Sequence, residues 1–357
     1  MFERYERNPI LTPKEDNEWE SKATFNCAAL YLDGVVHVLY RGIGEYDDYI
    51  SKLGYARFRL EGGELNLERR EREPVYFSGG WGCEDPRMVK IEDKIYVTYV
   101  KPLISPRRGG KPRSMLVSTK DFKDFEVHGF ITPPLAEDKD VVLFPEKIKG
   151  KYVMVHRPTN WIKSSVRKEK EKLKVKYGGE FVDWLEEMEI PDYFPEKPSI
   201  WIAFSNDLKN FKEDKVLLEP AEDWESIKVG AGPPPLKTEE GWLLIYHGVG
   251  ELPKNERKIK RFDGRIQNVI YRVGAALLDL KDPSYVIAKS TVPILQPEKE
   301  YEMFGDVPFV VFPTGAFVHE GKIYLFYGAA DKVCCLAICE LDELLNFLLE
   351  KGKLTKR

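Results

Sequence analysis

Asp85 stands in the run Glu84-Asp85-Pro86-Arg87. Far along the chain from it come Arg157 in Val155-His156-Arg157-Pro158, Lys228 ahead of Val229-Gly230-Ala231-Gly232, and His247 in Tyr246-His247-Gly248. A carboxyl group can give or take a proton beside a reacting oxygen. A guanidinium fork, an ammonium and an imidazole together suit a small oxyanion such as phosphate, because they combine bidentate hydrogen bonding with charge. Spacing alone leaves a second reading open, in which Arg157 and His247 pair neighbouring strands and Asp85 is a turn aspartate ahead of Pro86. The chemistry therefore depends on whether the fold gathers these residues.

Five stretches share one layout: residues 23–44, 83–102, 143–158, 231–250 and 311–331. In each, a short apolar run meets a polar turn and an aromatic, β-branched run follows, which is hairpin grammar. The turns are Asp33-Gly34, Glu92-Asp93-Lys94, Lys149-Gly150, Glu239-Glu240-Gly241 and Glu320-Gly321. Aligning the second runs sets Tyr40, Tyr99, His156, Tyr246 and Tyr327 in register. The residues after them are Arg41, Val100, Arg157, His247 and Gly328, and the first runs begin with Asn26, Glu84-Asp85, Pro145-Glu146, Lys228 and Thr314. Further strand-like runs lie between the repeats, such as Tyr55 to Leu60, Arg113 to Ser118, Ile200 to Ser205, Tyr271 to Leu278 and Cys334 to Cys339.

Five units of roughly four strands each predict an all-β chain folded as a five-bladed β-propeller, whose innermost strands line one funnel. A β-sandwich with long loops is the alternative. The repeats are unevenly spaced, so one domain spanning residues 1–357 carries insertions at about 161–193 and 253–265. Both insertions have helical signal, and a C-terminal helix is expected over Asp342 to Lys351. Trp161 and Trp184 in the first insertion would serve as a lid, or its charges as a solvated face. In a propeller, register converts distance along the chain into proximity. One mouth of the funnel would then hold a carboxylate close to several cations.

Composition narrows the function. Against 55 Lys and Arg stand 59 Asp and Glu, a net charge of -4, which argues against a general nucleic-acid binder. No run approaches the roughly 18 apolar residues of a membrane helix, and Met1 to Arg7 has no apolar signal region, so a soluble, cytoplasmic protein is expected. The five cysteines, Cys27, Cys83, Cys334, Cys335 and Cys339, lack CxxC spacing and suggest neither a disulfide framework nor zinc. His37, His128, His156, His247 and His319 form no HxH or HExxH, so no metal site is expected. Gly42-Ile43-Gly44 lacks a third glycine, and Gly230-Ala231-Gly232 runs into three prolines without N–H donors, so neither is a nucleotide loop. A homo-oligomer is expected, built on the 161–193 insertion or the C-terminal helix.

Taken in order, a set of short motifs resembles glycoside hydrolase family 130, the inverting β-mannoside phosphorylases and mannosidases. They are Asn8-Pro9-Ile10-Leu11, Phe25-Asn26, Glu84-Asp85-Pro86-Arg87, Leu143-Phe144-Pro145-Glu146-Lys147, Val155-His156-Arg157-Pro158, Val229-Gly230-Ala231-Gly232-Pro233-Pro234, Tyr246-His247-Gly248, Gly305-Asp306-Val307-Pro308 and Tyr327-Gly328-Ala329-Ala330-Asp331. The resemblance covers essentially the whole chain. It implies a five-bladed propeller and phosphorolysis of terminal β-mannosides of manno-oligosaccharides, giving α-mannose 1-phosphate with inversion. Inorganic phosphate is the co-substrate, with no other cofactor.

Asp85 matches the family's general acid, whose proton is thought to travel through the mannose 3-hydroxyl. Arg157, Lys228 and His247 match phosphate-binding positions. Asn26 and Asp306 match sugar-contacting positions, and Arg41, Glu84, Arg87, Lys139, Asp140 and Asp331 are counted with them as substrate-binding. Two departures bear on the acceptor side: Lys139-Asp140 stands where many phosphorylases carry Arg-Asn, and Phe309 replaces a polar residue. Linkage stays open between β-1,4 and β-1,2, with β-1,4 favoured. The alternatives are a β-mannoside hydrolase, which needs a second carboxylate such as Glu146 or Asp306 to activate water, and a non-catalytic carbohydrate-binding propeller.

Overall fold

The computed structural model describes residues 1–132, 136–161, 195–256 and 258–354, together with Val175. Of the segment expected to be the first insertion, Trp161 ends a strand of blade 3 and the rest apart from Val175, Trp184 included, lies outside the described residues. The described residues form a β-propeller of five blades. Blade 1 runs Ala23–Leu32, Val35–Ile43, Ser51–Glu61, Glu64–Arg70, and blade 2 Glu84–Ile91, Lys94–Pro102, Pro112–Thr119, Glu126–Phe130. Blade 3 runs Ala136–Leu143, Tyr152–Trp161, Ile200–Ser205, Lys212–Leu218. Blade 4 runs Lys228–Ala231, Trp242–Glu251, Val269–Leu278, Val286–Lys289, with Leu236–Lys237 and Lys353–Leu354 added at its edges. Blade 5 runs Val311–His319, Lys322–Ala329, Val333–Glu340 and takes its outermost strand, Glu3–Arg4, from the other end of the chain.

Local sequence explains the hairpins. Asp33-Gly34, Lys149-Gly150 and Glu320-Gly321 each put two successive residues at positive φ, the conformation whose twist matches two-residue hairpins. Each blade then buries its apolar faces against its neighbours. Five clusters fill the five gaps, for example Val38, Phe58 and Leu336 between blades 1 and 5, and Leu39, Val97 and Val117 between blades 1 and 2. A fully buried side chain of this size contributes about 1.5–3 kcal/mol. Pairing Glu3 with Ile338 and Arg4 with Ala337 ties the two ends of the chain into one blade and closes the ring.

Three expectations need correction or addition. The third repeat was expected to begin at Leu143, but its inner strand is Ala136–Leu143, and residues 144–151 form the turn. The ladder ends at Phe144, whose N–H bonds Val153 O at 3.0 Å, because Pro145 has no N–H to continue it. Glu146 consequently faces solvent and pairs with Lys237 at 2.6 Å. Among its described residues the 253–265 segment is not helical: Lys260 bridges Ile266, and its N–H groups find partners such as Asp306 O and Arg265 O across loops. Helical turns do occur at Glu18–Glu20, Asp223–Glu225 and Glu300–Met303, which the apolar pattern did not indicate. The C-terminal helix is present as Leu341–Lys351 and buries Leu344, Leu345 and Leu348. No helix among the described residues is long and apolar enough to cross a membrane.

Candidate active site

The aligned residues Tyr40, Tyr99, His156 and Tyr327 each sit opposite a point where the inner strand carries one extra residue. Such bulges re-aim side chains and commonly border functional sites. In blades 1, 2 and 3 the extra residue is Asn26, Asp85 and Asp140, at φ of 49°, 51° and 56°. Asn and Asp are the side chains that tolerate this left-handed region best, at a cost of about 1 kcal/mol or more each. Three adjacent blades thus turn a short polar side chain toward the axis by the same device. Two glycines leave room for them: a Cβ on Gly328 would collide with Asn26 Oδ1, and one on Gly230 with Asp140 and with His247.

These residues wall an inner chamber of about 150 Å³, which opens past Arg41, Lys139, Arg261, Val307 and Asp331 into an outer chamber of about 670 Å³. Of the residues singled out in the sequence, Asn26, Arg41, Asp85, Lys139, Asp140, Arg157, Lys228, His247 and Asp331 all line the inner chamber. Glu84 lines the outer one. Arg87 and Asp306 stand one layer back. Arg87 is buried, donates to Asp85 O at 2.8 Å and reaches Asp140 Oδ1 at 3.2 Å. Asp306 accepts from Lys332 at 3.0 Å, Tyr46 at 2.9 Å and Tyr49 at 3.2 Å, under the outer wall.

Asp85 Oδ1 accepts from Asn26 Nδ2 at 2.7 Å and from Arg41 Nη1 at 2.9 Å, while Arg41 Nη2 holds Glu84 at 2.7 Å. Burial pushes the Asp85 carboxyl up, but the charges of Arg41, Arg87 and Lys139 with the Asn26 hydrogen bond outweigh it, so it lies below its ordinary range. Asp331 goes the other way: burial, with the charges of Asp85 and Asp306, lifts it to about 7 against the pull of Arg41 and Arg261. One chamber therefore contains an ionised and a readily protonated carboxyl. That is the arrangement by which sites assign acid and base roles.

In the same chamber, Asp140 lies between Arg157 Nε at 2.7 Å and Arg87 Nη2 at 3.2 Å. Despite burial, the charges of Arg157 and Arg87 hold it well below the usual carboxylate range. His247 Nε2 is 3.6 Å from Asp140 Oδ2, and both ring nitrogens are buried without a hydrogen-bond partner. Burial, reinforced by Arg157, Lys228 and Arg87, lowers its pKa to about 3. At neutral pH the imidazole is then uncharged, with one donor and one acceptor nitrogen. Lys228 lies 5.1 Å from the centre of the Tyr271 ring. Burial alone would raise that phenol, but the Lys228 charge lowers it below its ordinary value. One chamber thus gathers proton-handling carboxyls, Asp85 and Asp331, with Arg157, Lys228 and an unpaired imidazole, around a space the size of a small anion.

A family model described as β-1,4-mannooligosaccharide phosphorylase, that of glycoside hydrolase family 130, matches residues 2–350. The chain belongs to glycoside hydrolase family 130. A 1,2-β-oligomannan phosphorylase of Thermoanaerobacter sp. (strain X514) is 38% identical over 349 residues, 96% of this chain and 98% of that protein. A β-1,2-mannobiose phosphorylase of the same organism is 34% identical, covering 96% of this chain and 98% of its own length. The solved structure of β-1,2-mannobiose phosphorylase from Listeria innocua, in complex with β-1,2-mannobiose, superposes with a TM-score of 0.72 at 28% identity, over 97% of this chain and 99% of that one.

Within this family-130 site, sequence reasoning missed Tyr271 and Arg261. Tyr271 lies on a third strand, whereas the funnel argument counted only the first two. Arg261 comes from the loop joining two strands of blade 4; it lines both chambers, and its buried Nε has no hydrogen-bond partner. That loop is held across the mouth by Phe262, which stacks on Tyr49 of the blade 1 side at 4.3 Å and lies beneath Arg107 of the blade 2 side at 5.3 Å. The basic run Lys258 to Arg265 was the available signal.

Proposed function

We propose that this protein is a β-mannoside phosphorylase. It transfers the terminal β-mannosyl unit of a manno-oligosaccharide to inorganic phosphate, giving α-mannose 1-phosphate with inversion and a shortened sugar. The observation that carries this reading is the locked carboxylate: Asp140, which lines the same chamber as Asp85, is held by two guanidinium groups. An inverting hydrolase needs a free carboxylate there to activate water. The two carboxylates that reading would use are elsewhere, Glu146 at the surface with Lys237 and Asp306 engaged by Lys332, Tyr46 and Tyr49. A nucleophile that arrives already charged needs only to be held in line.

In this reading Arg157, Lys228 and His247 hold phosphate, with Tyr271 beside Lys228. Asn26, Arg41 and Asp331 receive the mannosyl hydroxyls, and Asp85 supplies the proton. One phosphate oxygen forms a bond to the anomeric carbon as the bond to the leaving oxygen breaks, and that oxygen takes a proton from Asp85. The new sugar phosphate gives its own proton back, so the carboxyl is restored. The fields of Arg41, Arg87 and Lys139 keep Asp85 ionised, and a bound phosphate offsets them. All five cysteines are free and buried, in keeping with the reducing cytoplasm in which mannose 1-phosphate would be retained.

On linkage, three relatives at 38%, 34% and 33% identity are named for β-1,2 bonds, and one at 30% is named for β-1,4. The reading therefore moves from β-1,4 to β-1,2-linked mannosides. Incubation with β-1,2- or β-1,4-mannobiose, with and without phosphate, tests both points. Mannose 1-phosphate formed only with phosphate, and faster from the β-1,2 dimer, is the expected result. Free mannose at equal rates in both tubes would establish a hydrolase, and faster turnover of the β-1,4 dimer would restore the other linkage.

A further inference from the structure

The five aligned positions in the second strands are tyrosine in four blades and histidine in one. In blades 1, 4 and 5 the tyrosine joins a fully buried glutamate from a helical turn and a cation from the outer strand: Tyr40 with Glu20 and Arg70, Tyr246 with Glu225 and Lys289, Tyr327 with Glu302 and Arg4. Tyr99 of blade 2 meets Tyr76 at 3.1 Å. Blade 3 inverts the scheme. The cation-forming group, His156, is central and fully buried, with Asp138 Oδ2 at 2.7 Å from Nδ1 and Asp214 Oδ1 at 3.0 Å from Nε2. The next residue along the strand is Arg157.

The backbone shows what the inversion does. Opposite Lys139, Arg157 sits on a short island of ladder, with register shifts on both sides, between Glu137 and Asp138 and between Lys139 and Val142. Its N–H is donated to the side chain of Asp138, at 3.1 Å from Oδ1. One carboxylate therefore binds the backbone of Arg157 through one oxygen and the ring of its neighbour through the other. From that anchored backbone the guanidinium reaches Asp140 Oδ2 through Nε, at 2.7 Å. With the ladder interrupted, the Asp138 carboxylate fixes the height of Arg157 over the chamber.

We propose that Asp138, His156 and Asp214 form a positioning triplet for phosphate capture, setting the strand segment from which Arg157 addresses the nucleophile. This rests on the reading of Arg157 as a phosphate ligand. Asp138 and His156 touch no substrate themselves; they act through Arg157. Charge supports the geometry, because the two aspartates outweigh burial and hold the ring protonated, with a pKa raised to about 10, so the triplet stays intact at working pH.

The test uses the full chain with Asp138→Asn, His156→Gln and Asp214→Asn, and Arg157→Ala as the reference. KM for phosphate is measured at saturating mannobiose and KM for mannobiose at saturating phosphate, with phosphate affinity by calorimetry and a thermal melt for each variant. Misplacing a binding group by a fraction of an ångström costs roughly tenfold or more. The expected result is a phosphate KM raised about tenfold or more in Asp138→Asn and His156→Gln, by about threefold in Asp214→Asn, and a mannobiose KM within about twofold throughout. Lower melting temperatures with both KM values unmoved would overturn the proposal, as would equal rises in both. If His156→Gln does not fold, Asp138→Asn, which keeps the shape of the side chain, carries the decision. A phosphate KM unchanged in Arg157→Ala would instead remove the phosphate reading of Arg157 and this inference with it; a large rise there beside unmoved Asp138→Asn and His156→Gln would remove the inference alone.

Discussion

Buried charge occurs in two places in this propeller, and the two are built on opposite terms. At the periphery, the glutamates Glu20, Glu225 and Glu302 are fully enclosed and fully answered. Glu302 alone accepts from Tyr327 and Arg4 at 2.8 Å, from Arg4 again at 3.0 Å, and from the N–H groups of Glu298 and Lys299. Along the axis the same residue types are left short. Both nitrogens of His247 and the Oδ1 of Asn26 have no partner, Asn26, Asp85, Asp140 and Asp331 hold positive φ, and Asp85 and Asp331 share a chamber with their protonation pulled apart. Unpaired buried polar groups cost about 1–3 kcal/mol each. The difference separates charges that hold blades together from charges kept available for a ligand.

The comparison is broken most sharply at Asp85. Asp85→Asn keeps the shape and the Arg41 neighbourhood but removes the proton donor, so phosphorolysis should fall by about a thousandfold or more while the melting temperature barely moves. Product release assays and a melt of the same preparation decide it. A variant that loses stability as a core mutant does, and retains partial activity, would place Asp85 with the structural charges. The reverse pattern is expected at Glu302. Glu302→Ala strands Arg4 and two backbone N–H groups, and should cost about 3–5 kcal/mol in denaturant unfolding with both KM values within about twofold. A selective loss of sugar or phosphate affinity there would erase the distinction.

Much of this was legible in the chain, for identifiable reasons. The hairpin turns announce themselves through Asp-Gly, Lys-Gly and Glu-Gly pairs, and the repeated aromatic gave the register that brings Arg41, Arg157 and His247 to one axis. The third blade misled because its inner strand, AEDKDVVL, carries charge where a strand would ordinarily alternate, and the apolar Leu143-Phe144 beside Pro145 looked like the better beginning. Its charges are there for the chamber, so function obscured the fold signal. The bulges at Asn26, Asp85 and Asp140 were hidden for another reason: they arise from a ladder that skips a residue, and no local motif encodes that. The peripheral glutamates had a signal that was overlooked, since Trp19-Glu20 and Trp224-Glu225 stand at similar distances before Tyr40 and Tyr246.

The smallest effect distinguishes blade 3 from the other latches. Burial and neighbouring charge push Tyr40, Tyr246 and Tyr327 above their ordinary pKa, so these hydroxyls keep their protons through mildly alkaline solution. His156 is different in kind, since its proton is present in the folded state up to about pH 10 and leaves the unfolded chain near 6.5. A group raised on folding contributes stability that is complete below the unfolded value and disappears as pH rises through the folded one. Unfolding free energy should therefore decline between about pH 6.5 and about pH 10, and His156→Tyr, which gives blade 3 the residue of its neighbours, should flatten that decline relative to the unaltered protein. Denaturant melts of the two proteins across that interval measure the difference directly. Parallel slopes would mean that the triplet is not the ionised, proton-holding element that separates blade 3 from blades 1, 4 and 5, and that its carboxylates share the proton in some other way.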